Sequence, residues 1–285
     1  MFELIHAERA SITVTRACRV LRVSRSGYYK WLHAEPTTRA IDDAVLAAEV
    51  KELFRENRGR YGAPRIRRAL RRRGPRPSKK RVARVMRGLG LRGYTPRRFR
   101  KTTDSRHTKR IAPNLLERNF TVPAPNKVLA GDITYIATSD GWLYLAVLLD
   151  LYSRRVVGWA MSDRIDTELA LAALRMAAST RALSLNWIHH TDRDCRYGSD
   201  EYLAVLRQLG AVPSMSRKAD CWDNAVSETF FATLEKELLA LQPLQTRKKT
   251  REDVADYIDN YYNLVRLHSH LDYVSPVEFE TNAPS

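Results

Sequence analysis

The chain has 285 residues, 44% of them hydrophobic, which is long enough for a sizeable core in two or more units and too apolar for a disordered chain. Its formal charge of +17 is unevenly spread, with 33 Lys and Arg against 10 Asp and Glu in residues 1–130, but 16 against 22 in residues 131–285. A basic front joined to a mildly acidic rear suggests one part that holds a polyanion and another that acts on it; with no long apolar run or signal-like leader, nucleic acid is favoured over a membrane, and cytoplasm is the default.

The first expected unit, residues 1–38, rests on "SITVTRACRVLRVSRSGYYKWL". Thr13 is placed to cap one short helix, with Ala17, Cys18 and Leu21 on one face. Ser24 is placed to cap a second, with Tyr28, Tyr29, Trp31 and Leu32 offered to the core. Two short helices and a turn suggest a helix-turn-helix. Cys18 then reads as packing. Cys195 and Cys221 are too scattered to complete a metal set or a disulfide scaffold, and seven histidines build no zinc finger in the basic half.

Residues 39–92 form a second helix-turn-helix-like unit. In "YGAPRIRRALRRRG", Pro64 opens a helix, Ile66 and Leu70 face inward, and Gly74 ends it. "RPSKKRVARVMRGLG" follows, with Ser78 as cap, Val82, Val85, Met86 and Leu89 at helical spacing, and Gly90 as terminator. Lys79, Lys80, Arg81, Arg84 and Arg87 are left facing outward, and with Arg65 they are the candidate contacts to a duplex backbone or groove. A solvated basic helix has the same pattern. Over residues 93–125 the periodicity fades into a basic, Pro- and Thr-rich linker that can itself lie along phosphates.

From residue 126 the pattern changes to strands. "VLAGDITYIA", "GWLYLAVLLDLYS" and "RRVVGWAMS" read as three strands joined by short links and therefore antiparallel. A helix over Asp166–Arg181, a strand at Trp187–Thr191, a helix from Ser199 to Gly210, the strand "AVPSMS" and a helix from about Trp222 to Leu239 complete an α/β unit over 126–240. That element order, a mixed sheet with helices against it, is that of ribonuclease-H-like folds. Residues 241–285 form a helical tail. There Thr250 is placed as a cap, Val254, Tyr257, Ile258 and Tyr261 share a face, and "SPVE" is a capping box with Pro276 at the first helical position.

Three carboxylates stand out against this frame. Asp132 interrupts an apolar strand, where an unpaired charge is costly, so either a salt bridge or a metal is required. Asp192 ends another strand. Glu228, ~160° around its helix from Phe230, points away from the apolar stripe of Val226, Phe230 and Leu234. Three carboxylates converging from two strands and a helix make a hard oxygen-donor site suited to Mg²⁺ or Mn²⁺, and two such ions serve phosphodiester displacement.

Asp132 and Asp192 lie 60 positions apart, and 35 residues separate Asp192 from Glu228. With "DITYI", "GWLYLAVLLDLYSRRVVGW", "HHTDR", "SRKADCWDNAVSETFFATLEKE" and "YNLVRLHSHLDYVSP" in order, the chain resembles the second-frame (OrfB) transposases of two-frame bacterial insertion elements, whose core is retroviral-integrase-like. The resemblance implies two magnesium ions held by Asp132, Asp192 and Glu228. It further implies strand cleavage and transfer at the element's terminal inverted repeats, and a nucleoid-associated life on double-stranded DNA. In such elements the working species is usually a fusion with the upstream frame. This chain, starting at Met1, is then expected to be the downstream product, able also to self-associate on DNA. Asn224, one turn before Glu228, reads as a contact to a metal ligand or to substrate, and Lys236, Arg266 and His268 as DNA contacts. His189 and His190 read equally as strand packing or as groups that orient a carboxylate.

The chain departs from the family pattern in four places. Glu235 stands where Lys or Arg is frequent, and like charge there opposes a phosphate; Asp194 and Ala219 replace glycines, and Leu129 a tryptophan. Ordinary drift and decay of an element copy both account for these. Two rival readings share part of the pattern: a DNA-binding regulator with a purely structural sheet, which leaves Asp132 unexplained, and a nuclease acting on RNA–DNA hybrids, which has no use for two helix-turn-helix-like units.

Overall fold

The computed structural model describes residues 1–93, 111–217 and 221–283. They fall into two units, Met1–Arg92 and Gly93–Ser285. The Arg- and Thr-rich segment expected to run along phosphates and the Ala219 departure lie outside the described residues.

In the first unit, α1 (Phe2–Ala7), α2 (Val14–Val20) and α3 (Arg25–Leu32) close around Ile5, Cys18 and Tyr28. Ser24 caps α3 by accepting from the Gly27 amide at 3.0 Å, whereas the Thr13 side chain makes no such bond to α2. Of the four residues offered to the core from α3 only Tyr28 is buried; Tyr29, Trp31 and Leu32 stay exposed because an eight-residue helix has one inner face. The sequence pattern predicts no helix at either end of this region, but α1 and α4 (Thr38–Glu56) are both present. The 19 residues of α4 carry apolar side chains on two sides, with Leu46, Val50 and Leu53 inward and Ile41 and Val45 exposed, so no clean stripe announces it. Against α4 pack α5 (Ala63–Arg73) and α6 (Lys79–Gly88), which bury Ile66, Leu70, Val82, Val85 and Met86. Ser78 caps α6 as expected. Leu89 sits past its last turn and is exposed, while Gly90, at φ +67°, turns the chain away.

The second unit is a five-stranded mixed sheet in the order β3-β2-β1-β4-β5, formed by β1 (Val128–Thr138), β2 (Gly141–Asp150), β3 (Val156–Ser162), β4 (Trp187–Thr191) and β5 (Ala211–Met215). β1, β2 and β3 pair antiparallel; β4 pairs parallel to β1 and to β5. One sheet face, with Leu129, Ala146 and Leu148, lies under α7 (Thr167–Thr180) and α8 (Asp200–Gln208). α7 comes so close that a Cβ on Gly158 would lie 2.2 Å from the Ala173 carbonyl oxygen, so β3 needs glycine there. The other face carries Val128 and Ala130. It meets α9 (Ala225–Glu237), whose Val226 packs against this cluster.

Two boundaries differ from those the sequence suggests. The later part of the supposed linker belongs to the core, because Leu116 and Val122 bury themselves against Val128, Ala130 and Leu151. The tail helix α10 (Arg247–Asp256) starts earlier than expected. Its cap is Thr246, which accepts from the Lys249 amide at 3.2 Å, while Thr250 is buried one turn in. α10 runs on into a π-helical turn, Tyr257–Tyr262, whose Tyr257, Ile258 and Tyr261 are buried with Val254 as the shared face required. The closing α11 (Pro276–Thr281) is capped by Ser275.

Candidate active site

The site begins as a consequence of strand register. In the parallel pairing of β1 with β4, Gly131 lies opposite Thr191, so the next residues along, Asp132 and Asp192, emerge from neighbouring strands. Side chains alternate faces along a strand, and adjacent strands lie ~4.8 Å apart, so both carboxylates leave the sheet on the same side. That is the side to which Ala130 belongs and on which α9 packs. Glu228 stands in the first turn of α9.

Asp132 is partly buried in this corner. Its Oδ1 accepts from the Ile133 amide at 2.8 Å and its Oδ2 from the Asn224 side-chain amide at 2.8 Å. Burial, then the negative charge of Asp192, and in smaller part those of Glu228 and Asp194, hold its pKa well above the ordinary carboxylate range, against the pull of the Ile133 amide. Asp132 therefore feels the other two carboxylates. Asp192 Oδ1 accepts from the Asp194 amide at 3.0 Å, a turn that carries the chain away from the sheet. Asp194, which stands where the family pattern has glycine, turns its own carboxylate to Arg196.

Asn224 is delivered by a 3-10 turn, Cys221–Asn224, that precedes α9 and shortens it relative to the expected span. Its Oδ1 is buried without a hydrogen-bond partner among the described residues. The two histidines before Asp192 are both interior. His189 meets the Tyr202 hydroxyl at 2.8 Å and is pushed down to about 3 by burial and by His190, so the ring stays neutral. A Cβ on Gly131 would lie 3.0 Å from that ring, a tight contact that glycine avoids. His190 Nε2 lies 2.9 Å from the Asp223 carbonyl, which can only accept, so that nitrogen carries the hydrogen and Nδ1 accepts from Ser214 Oγ, also at 2.9 Å. Asp223, which no spacing or pattern marks, is buried at 1% exposure with its carboxylate ringed by donors from Arg217 and Asn114. Its single readable signal is an acid directly beside Asn224.

Two of the supposed DNA contacts lie inside the fold. Arg266 is buried, and its Nε and Nη2 donate to Glu237 at 2.8 and 2.9 Å; its Nη1 faces His268 Nε2 at 3.2 Å. Burial opposes the guanidinium's charge, but Glu237 outweighs it and holds the pKa above the usual arginine value. A guanidinium spent in this way has no fork to offer a phosphate, and His268 is buried with it. Lys236, by contrast, is exposed on α9. Glu235 lines a small pocket with Ile136, Leu238, Leu244 and Asp253, and burial raises its pKa.

In the first unit Lys79, Lys80 and Arg87 are exposed on α6. Arg81 and Arg84 both reach back to Asp43 on α4, each at 2.7 Å, and Arg65 lies over the Tyr61 ring at 5.5 Å. Part of the expected basic face is thus already neutralised.

Among the described residues no three His, Cys, Asp or Glu side chains form a ready-made metal cluster. The donor set nonetheless fits a hard divalent cation. It consists of carboxylate oxygens, that of Asp132 held well above its ordinary pKa by burial and by its acidic neighbours, and beside Asp132 lies the buried Asn224 Oδ1. No helix among the described residues is long and apolar enough to cross a membrane.

Comparison with known proteins bears on the same residues. A family described as "Integrase core domain" matches residues 122–221, a second of the same description matches 228–283, and "HTH-like domain" matches 40–99. Transposase InsF for insertion sequence IS3A of Escherichia coli is 41% identical over 286 residues, covering 98% of each chain. The transposase for insertion sequence element IS904 of Lactococcus lactis is 39% identical over 249 residues, 87% of this chain and 98% of that one. The insertion element IS600 uncharacterized 31 kDa protein of Shigella sonnei is 40% identical over 262 residues, 92% and 96% of the two chains.

Proposed function

The chain belongs to the OrfB-type transposases of insertion elements, with an integrase-like catalytic core behind a helix-turn-helix-like region, and on that premise we propose that it cuts DNA at the terminal inverted repeats of its own element and joins the ends to target DNA. The reading rests chiefly on the register of β1 against β4, which brings Asp132 and Asp192 out side by side on the face that α9 covers.

Asp132, Asp192 and Glu228 are the residues that would hold Mg²⁺, or Mn²⁺ in its place, as a pair of ions. What such ions supply when bound is activation of a hydroxyl and neutralisation of the leaving oxygen of a phosphodiester. The chain's own residues do the remaining work. Asn224 and the Ile133 amide fix the Asp132 carboxylate, leaving a lone pair on each oxygen for a cation. The Asp192 turn fixes its neighbour. In this scheme water or a DNA 3′-hydroxyl attacks in line, and no side chain becomes covalently attached to DNA.

Lys79, Lys80 and Arg87, with Arg65, Arg81 and Arg84 as shared partners, serve as phosphate contacts of the first unit, and Lys236 as one beside the site. The upstream-frame protein, as a fusion or in complex, and a second copy on DNA complete the working species. The test is cleavage of labelled DNA bearing the element's ends, with and without Mg²⁺, by this chain and by its upstream fusion. Magnesium-dependent nicking at the repeat end that Glu228→Gln abolishes is the expected result. Binding without cleavage by both forms would sink the reading.

A further inference from the structure

We propose that Asp223 is a positioning residue for the reaction: it holds the backbone from which Asn224 reaches Asp132, and so sets the orientation of the first carboxylate. The proposal rests on the reading above that Asp132 is catalytic.

Asp223 is gripped on both its side chain and its backbone. Its Oδ2 accepts from the Arg217 amide at 2.9 Å, Arg217 Nε at 3.0 Å and Asn114 Nδ2 at 2.9 Å, and its Oδ1 from Arg217 Nη2 at 3.0 Å. Arg118 Nε adds a cation at 3.5 Å. On the main chain, the Asp223 carbonyl accepts from His190 Nε2, and His190 belongs to β4, two residues before Asp192. That carbonyl forms the peptide plane shared with Asn224. The plane is therefore tied to the same strand that carries the second carboxylate, while the next side chain along bonds the first at 2.8 Å.

This exceeds what holding a helix start requires. A helix cap needs an acceptor turned towards the free amides of its first turn. The Asp223 carboxylate is turned the other way, onto Arg217 and Asn114, and α9 has no side-chain cap from Asn224 either. Asp223 and Asn224 each spend a polar group away from the helix they precede, one on an anchor and the other on Asp132. Outer partners that orient a metal-binding carboxylate are worth about 10–100-fold in activity or metal affinity when removed.

The test uses the full chain with Asp223→Ala, Arg217→Gln, Asn224→Ala and the Asp223→Ala/Asn224→Ala pair. Arg217→Gln loosens the same grip from a side chain that is 53% exposed, so it keeps the test open should Asp223→Ala fail to fold. Two quantities are read. The first, independent of activity, is solvent exchange of the Asn224 side-chain amide by ¹⁵N NMR, its resonance assigned by its loss in Asn224→Ala. It should be protected in the wild type and unprotected in both anchor variants. The second is magnesium-dependent DNA cleavage. Asp223→Ala should lower kcat by about 10–100-fold with KM for DNA unchanged, and the pair should be no worse than Asn224→Ala alone. Protection that survives in the folded anchor variants, or losses that multiply in the pair, would overturn the proposal. If neither the wild-type chain nor its upstream fusion cleaves, the transposase reading fails, and the amide exchange still decides whether Asp223 positions Asn224.

Discussion

Asn224 donates its side-chain amide to Asp132 across 92 positions of sequence and 2.8 Å of space. The bond joins the start of α9 to the middle of β1, so the helix that carries Glu228 is tied directly to the strand that carries Asp132.

The strained charge of Asp132 has a consequence for stability. Its folded pKa lies above its unfolded one, so the stability it contributes is present at pH below the unfolded value and is lost as pH rises through the folded value. At neutral pH and without metal, Asp132 therefore costs stability relative to acid pH. Asp132→Asn should raise the thermal midpoint of metal-free protein at pH 7, by ~2–4 °C for each kcal/mol relieved, and the gain should shrink towards pH 4. Mg²⁺ should raise the midpoint of the wild type and leave that of the variant nearly unmoved. Calorimetry in EDTA and in Mg²⁺ measures both, and a variant less stable than wild type at pH 7 would contradict the account.

Arg266 belongs to the fold of the tail. Removing one partner of a buried ion pair leaves the other charge uncompensated, at a cost of about 3–5 kcal/mol. Arg266→Ala should lose stability on that scale in urea unfolding, because Glu237 and the Tyr257 hydroxyl that donates to it are left behind. The salt dependence of DNA binding by the surviving folded protein should stay that of the wild type. A shallower salt slope without loss of stability would return Arg266 to the DNA.

On α6 the cations are unequal. Lys79 and Lys80 are exposed, whereas Arg81 and Arg84 share Asp43. Lys79→Ala and Lys80→Ala should each weaken binding across sequences and lower the salt slope by about one unit, the change expected when a single phosphate is left without its cation. Arg84→Ala should change the slope less, since its charge is already partly balanced. Fluorescence anisotropy over a salt series compares them, and equal slopes for all three would show that Asp43 yields its arginines to DNA.

What local sequence determined here is what local physics controls. Strand alternation, helical spacing, Ser24, Ser78 and Ser275 as caps, and Gly90 as terminator all act within a few residues, and the element order of the α/β unit follows from them. The helix α4 escaped because its apolar residues face both ways, and a periodic signal requires one face to win. The short linker-like stretch around Leu116 and Val122 escaped because only the assembled sheet offers it a surface to bury against. Charge was the least legible property of all. An arginine reads the same in the chain whether it will lie against water, against Glu237 or against Asp43, and an aspartate the same whether Arg217 will surround it. Those partners lie 29, 41 and 6 positions away for Arg266, Arg84 and Asp223. Desolvation and Coulomb energy depend on distance through space, so only the folded chain decided which charges were spent on the fold.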